Sequence, residues 1–239
     1  MAIALFTDFG REGPYLGQME AAIEQIVPNC KVINLVSNAP TADPLLSAYL
    51  LAALRHSFPA GTIFLCVVDP SVGGERAAVA LKADEQWFVG PDNGLLNTVA
   101  AHAGQRAWFE IIWRPQDCSA SFHGRDIFAP IAARLANNTA EDRLRPLDKP
   151  LAGWAEDLPR IIYFDHYGNA MTGLRYHADW QDKTIEVKGL RIEQANTFCE
   201  VSQGQLFWYK NSSGLIEIAA NQDDARTVLN LKLGDEVGC

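Results

Sequence analysis

Three apolar runs in the N-terminal half of the chain each stop at a cluster of polar residues. IALFT runs into Asp8, IFLCVV into Asp69, and WFVG, after Pro91, into Asp92-Asn93-Gly94. Short apolar runs rich in β-branched and aromatic residues, bounded by turn formers, read as buried strands. Helical patterns are interleaved with them. PYLGQMEAAIEQIVPN reads as a helix that stops at Pro28-Asn29, and TADPLLSAYLLAALRHSF as one with Thr41 or Asp43 as N-cap and Pro44 in its first turn. KVINLV and the stretches at 62–68, 76–83, 86–89 and about 107–112 are further strands. A helix is expected from about 92 to 102, and a last one from Gly124-Arg125-Asp126 to Asn137-Asn138. This alternation predicts an α/β domain whose mainly parallel sheet is flanked by helices.

Beyond residue 138 the texture changes. TAEDRLRPLDKPLAGWAEDLPR, residues 139–160, is polar, proline-containing and weakly periodic, which predicts a domain boundary. We divide the chain into an N-terminal α/β catalytic domain, 1–150, and a C-terminal domain, 151–239. In the latter RIIYF, KTIEVKGLRIE, QLFWYKN and LIEIAA are short strands between glycine and asparagine turns. They predict a smaller antiparallel β domain, barrel-like and with little helix.

Composition narrows the function classes. No apolar run approaches the roughly 18 residues of a membrane span, and MAIALFTDFG, with no basic start and Asp8 interrupting it, reads as a strand rather than a signal peptide. A net charge of −9 disfavours a nucleic-acid backbone as partner. Cys30, Cys66, Cys118, Cys199 and Cys239 form no C-x-x-C pair and read as free thiols of a cytoplasmic protein. His56, His102, His123, His166 and His177 show no ligand spacing, so no metal site is expected. The lysine and spacing of a phosphate-binding loop are missing from GREGPYLG, and no G-x-G-x-x-G occurs.

In an open α/β sheet, ligands bind outside the C-terminal ends of the strands, where Asp8, Asp69 and Asp92 fall. One carboxylate there is commonly a cap or turn former, whereas several along one edge suggest a pocket. His123, in SFHGRDIFAP, precedes a helix start, from where its ring can project into a cleft. A lone histidine is more often structural; here the neighbouring polar groups favour a reactive role. The turns DHYGNAMT and NSSGLIEIA concentrate hydrogen-bonding groups in the β domain, as hairpin turns also do.

In chain order, LFTDFG, VVDPSVGGER, FVGPDNGLL, FHGRDIFAP, DHYGNAMT and NSSGLIEIA resemble the S-adenosyl-L-methionine (SAM) hydroxide adenosyltransferases, or SAM hydrolases. These are relatives of the fluorinating and chlorinating enzymes that attack the same substrate. The resemblance implies hydrolysis of SAM to adenosine and L-methionine with no metal or cofactor. It also implies a homotrimer with active sites at subunit interfaces. The family's water-activating set falls on Asp69, Arg76 and His123. Asp8 matches the carboxylate that takes the ribose hydroxyls, Asn169 the reader of the adenine edge, and Asp165 a contact to the methionine ammonium. Phe198 matches an aromatic that packs on the ligand, and Ser212 with Ser213 the methionine carboxylate site. Two positions depart from the pattern: Gly13, beside Glu12, stands where many relatives carry aspartate, and PTAD stands where they carry an aromatic. SAM halogenation and a non-catalytic SAM or adenosine sensor remain as alternative readings.

Overall fold

The computed structural model describes residues 1–151 and 153–238. It divides into two compact units, Met1–Ala52 with Phe58–Trp154, and Ala53–Ser57 with Ala155–Cys239. The first unit is built on seven strands: β1 (Ala2–Thr7), β2 (Lys31–Val36), β3 (Ile63–Val67), β4 (Ala78–Ala83), β5 (Gln86–Pro91), β6 (Arg106–Ile111) and β7 (Leu144–Leu147). They lie in the order β2-β1-β3-β5-β4-β6-β7. The pairs β1–β2, β1–β3 and β3–β5 are parallel, while β4 runs antiparallel to β5 and β6, and β7 antiparallel to β6. Only β4 and β7 therefore oppose the common direction, and the sheet is mainly parallel as expected. All of β3 is buried, as a strand covered on both faces must be.

Helices α1 (Tyr15–Ile26), α2 (Pro44–Leu54), α3 (Asn97–His102) and α4 (Ala129–Ala136) accompany the sheet. Met19 and Ile23 of α1 and Ile131 and Leu135 of α4 pack into one core with Ile3, Leu65 and Val89 of the strands. Asp43 caps α2, its carboxylate accepting the Leu46 amide at 3.0 Å just before Pro44. The helix expected from 92 begins only at Asn97, because Asn93 and Gly94 close a turn first. The Asn93 side chain accepts the Leu95 amide at 3.2 Å, and Gly94 takes φ +98°. The last helix opens with a π-helical turn, Gly124–Phe128, before α4. Pro130 lies just beyond this turn; it offers no N–H, and its ring would crowd a carbonyl one α-turn back, which a widened turn relieves.

The segment 139–160 is not all linker. Residues 144–147 form β7 and pair with β6, placing Pro146 opposite Phe109. Proline and alternating charge hid this strand, and both are features of a sheet edge.

The second unit holds β8 (Leu158–Phe164), β9 (Ala170–Arg175), β10 (Ile185–Val187), β11 (Leu190–Ile192), β12 (Leu206–Lys210), β13 (Leu215–Ala220) and a one-turn helix α5 (Ala225–Val228). Its main sheet is antiparallel, in the order β12-β13-β9-β8, and β10–β11 is a separate hairpin. Trp208, Ile218, Ile161, Ile185 and Val187 form its core. The expected antiparallel β domain is thus present. No helix among the described residues is long and apolar enough to cross a membrane, and Cys239 lies outside them.

Candidate active site

The carboxylates Asp8 and Asp69 reach the same sheet edge because β1 and β3 pair in parallel with Thr7 opposite Val67. The chain then leaves β3 and crosses to β4, and β5 lies between the two strands. Residues 69–76 form this crossing. Two turns shape it, with the Val72 amide on the Asp69 carbonyl at 3.2 Å and the Gly74 amide on the Ser71 carbonyl at 3.0 Å. Gly73 is required here. It takes φ +83°, and a Cβ would stand 2.5 Å from the Ala120 carbonyl oxygen. Asn93 braces the start of the crossing from β5, donating from its side-chain amide to the Val68 carbonyl at 2.9 Å.

The crossing folds Arg76 back onto Asp69 as a two-pronged pair. Arg76 Nε donates to Asp69 Oδ1 at 3.0 Å and Nη2 to Oδ2, with both side chains nearly buried. The same Nη2 meets His123 Nδ1 at 2.9 Å. The guanidinium also lies over the Phe128 ring, 5.3 Å from its centre. The residues singled out as catalytic are therefore in contact, Arg76 between the other two.

A tautomer follows from this contact. A guanidinium can only donate, so His123 Nδ1 is the acceptor and the ring's proton sits on Nε2. Burial, then the positive charges of Arg76 and Arg114, lower the His123 pKa from its ordinary value; Asp69 and Asp126 oppose them. The neutral ring is thus favoured by geometry and by electrostatics alike.

His123 stands at the head of the π-helical turn, and its loop is pinned by Asp126. That carboxylate accepts the Ser119 amide at 2.8 Å and Arg125 Nε at 2.6 Å. Burial pushes the Asp126 pKa up, but these two hydrogen bonds, together with the charge of Arg125, bring the group below the usual carboxylate value. Asp69 and His123 open on a cavity of about 190 Å³ whose other walls include Phe9, Tyr15, Val72 and Phe122. Phe9, Tyr15 and Phe122 meet one another at ring separations of 5.3–5.9 Å. Sequence reasoning passed over these three, although Phe9 and Phe122 sit beside Asp8 and His123. Asp8 does not line this cavity; its Oδ2 accepts the Ala42 amide at 2.9 Å, joining the loops after β1 and β2.

In the second unit, Asp165, Asn169 and Phe198 line a cavity of about 820 Å³, together with Tyr167, Tyr209 and the segment 220–223. Asp165 organises the β8–β9 turn: Oδ1 accepts the Tyr167 and Asn169 amides and Oδ2 the Asn169 side-chain amide, each at 2.9 Å. Gly168 takes φ +82° in that turn. Ser212 and Ser213 lie instead in the β12–β13 turn and are not among the residues lining this cavity. Behind the cavity wall is Glu217, a buried carboxylate that the sequence showed only as an interruption in LIEIAA. It accepts the Tyr209 hydroxyl and the Asn211 side-chain amide, both at 2.7 Å. Burial raises the pKa of Glu217, assisted by the charge of Asp165 and opposed by these two donors. Burial and then Glu217 raise that of Tyr209, so the phenol stays a donor. Among the described residues, no three His, Cys, Asp or Glu side chains are grouped to hold a metal ion.

Comparison with known proteins identifies the family. Residues 3–145 match the model of the SAM hydroxide adenosyltransferase N-terminal domain, and residues 159–238 that of the C-terminal domain. An (R)-S-adenosyl-L-methionine hydrolase of Thermus thermophilus is 35% identical over 97% of this chain and 96% of its own. A Nocardia brasiliensis fluorinase is more distant, 22% identical over 98% and 95%. Among solved structures, an uncharacterized conserved protein from Thermotoga maritima superimposes with a TM-score of 0.89 at 31% identity, covering 98% of both chains. With both of its halves matched in order, the chain belongs to the SAM hydroxide adenosyltransferase family.

Proposed function

We propose that this protein hydrolyses S-adenosyl-L-methionine to adenosine and L-methionine. The observation that carries the reading is the buried Asp69–Arg76–His123 cluster opening on a small cavity. The sulfonium of SAM is a good leaving group, so the reaction lacks only a competent nucleophile. A water oxygen attacks the ribose C5′, the C5′–S bond breaks, and its electron pair goes to sulfur, leaving the neutral thioether of methionine. The water's proton passes to Asp69 and on to solvent. Asp69 keeps lone pairs for that proton beyond the two Arg76 bonds, and Arg76 holds the carboxylate in place. The Nε2–H of neutral His123 is a donor, which suits holding the water oxygen in line with C5′. A relay through Nδ1 is disfavoured, because Arg76 occupies that lone pair.

The binding roles extend the same reading. Asp8 takes the ribose diol, for which a carboxylate with one backbone bond has acceptor capacity to spare. Asn169 reads adenine, Phe198 packs on the ligand, Asp165 meets the methionine ammonium, and Ser212 with Ser213 takes the methionine carboxylate. The turn bonds of Asp165 leave its Oδ2 the better placed of the two oxygens for an ammonium. SAM is the substrate, so no cofactor or metal enters the scheme. We further propose a homotrimer in which the first unit of one copy and the second unit of a neighbour complete each site. The thiols Cys30, Cys66, Cys118 and Cys199 are unpaired with one another, which suits the cytoplasm.

Halide transfer is the weaker reading, since a halide in this cavity would face the Asp69 carboxylate in a site of low polarity. Incubation with SAM in ¹⁸O-water, with and without chloride or fluoride, tests the assignment. Hydrolysis yields methionine and adenosine labelled at the 5′ oxygen whatever halide is added. A 5′-halogenated nucleoside would establish the halogenase, and SAM bound without turnover the sensor.

A further inference from the structure

We propose that Glu217 is a positioning residue that sets SAM affinity by tying the aromatic cavity wall of the second unit to its serine-bearing turn. The inference rests on the hydrolase reading above. Glu217 is 2% exposed, on β13. One of its oxygens holds the hydroxyl of Tyr209, whose ring lines the large cavity against Phe198, 5.6 Å between ring centres. The other holds Asn211 Nδ2. Asn211 in turn accepts the backbone amides of Ser213 and Leu215 with its Oδ1, both at 2.9 Å. Backbone amides can only donate, so this side chain has one possible orientation, with its NH₂ toward Glu217.

The chain of bonds thus runs from a cavity-lining phenol, through one buried carboxylate, to the backbone that presents Ser212 and Ser213. An ionised carboxylate fits it because both oxygens accept. A leucine at 217 removes both acceptors and cuts the link at its centre. A glutamine can keep it, its oxygen accepting from Asn211 and its NH₂ donating to the Tyr209 hydroxyl oxygen, which accepts as well as donates.

The test is steady-state SAM hydrolysis by the full-length protein, with thermal melting to count folded molecules. Glu217→Leu should raise KM about tenfold or more, the size of a hydrogen bond to a charged group, with the loss carried by KM rather than kcat. Glu217→Gln should hold KM to within about threefold of the parent. A residue that serves stability alone would lower apparent kcat with the folded fraction and leave KM where it was, overturning the proposal. A KM raised as much by Glu217→Gln as by Glu217→Leu overturns it as well. Should Glu217→Leu not fold, Tyr209→Phe decides, because it removes one donor and spares the ring: a raised KM supports the proposal and an unchanged one overturns it. Failure of the underlying reading looks different, since the unmodified protein would then not hydrolyse SAM at all, and the proposal would fall with it.

Discussion

Arg76 touches both other members of the cluster, yet the chemistry assigned to Asp69 and His123 differs in kind, and single substitutions separate the two. Asp69→Asn keeps the shape while removing charge and basicity. Turnover should fall by about 10²- to 10⁴-fold, as on loss of a general base, with KM for SAM nearly constant because the proposed binding contacts lie on other residues. If Asp69 merely holds the crossing, thermal melts should instead show an unfolded fraction that accounts for the whole loss. For His123 the expectation concerns pH. Its folded pKa is lowered by burial and by Arg76, so the neutral ring persists below the ordinary histidine value of about 6.5. The acid limb of kcat should therefore lie under that value, where protonation at Nδ1 would set two donors face to face. The same shift makes the unfolded chain bind more protons between the two pKa values. The stability contribution of His123 is thus complete above its unfolded value and lost as pH falls through the folded one. A kcat profile paired with an NMR titration of the ring checks both statements, and an acid limb above 6.5 would contradict the tautomer.

At the scale of elements, the crossing from β3 to β4 and the π-helical turn are what bring residues 69, 76 and 123 together. Gly73 is where they lock, since its missing side chain admits the Ala120 carbonyl from the loop that leads to His123. Gly73→Ala should cost roughly 1–3 kcal/mol and reduce kcat, because the crossing and that loop must separate. Gly61→Ala is the matched control: it also has a positive φ, +77°, but nothing stands within 4 Å of its Cβ. It should lower the melting temperature slightly and leave kcat intact. Equal kinetic effects of the two would mean that backbone strain, not the contact with Ala120, governs the site.

For the whole molecule, the proposed ligand contacts divide between the units: Asp8, Asp69 and His123 in the first, Asp165, Asn169 and Ser212 in the second. If neighbouring copies complete each site, Asp8→Ala and Asn169→Ala proteins, each impaired alone, should regain activity when mixed under conditions of subunit exchange. One fraction of mixed sites then carries both native residues. No recovery despite exchange, followed by native mass spectrometry of isotopically distinct copies, would favour a site made within one chain.

Much of this was legible from the residue order alone. Buried parallel strands announce themselves as apolar runs, helix starts by Asp43-Pro44, and the edge where ligands collect by acids placed just after strands; these are local consequences of backbone geometry and burial. The six motifs carried the family and, with it, Asp69, Arg76 and His123 as a set. Tertiary structure alone decided the rest. The strand β7 was hidden because an edge strand tolerates proline and charge, and the late start of α3 because one asparagine side chain outcompetes a helical turn. The proton on His123 Nε2 depends on a guanidinium brought to it from 47 residues away. Glu217 read as an ordinary strand residue, since only the fold reveals that its carboxylate is buried between a phenol and an amide. Local pattern determines which segments become strands and helices; which donors and acceptors then meet is decided by register and packing, where a shift of one residue would reverse every partner.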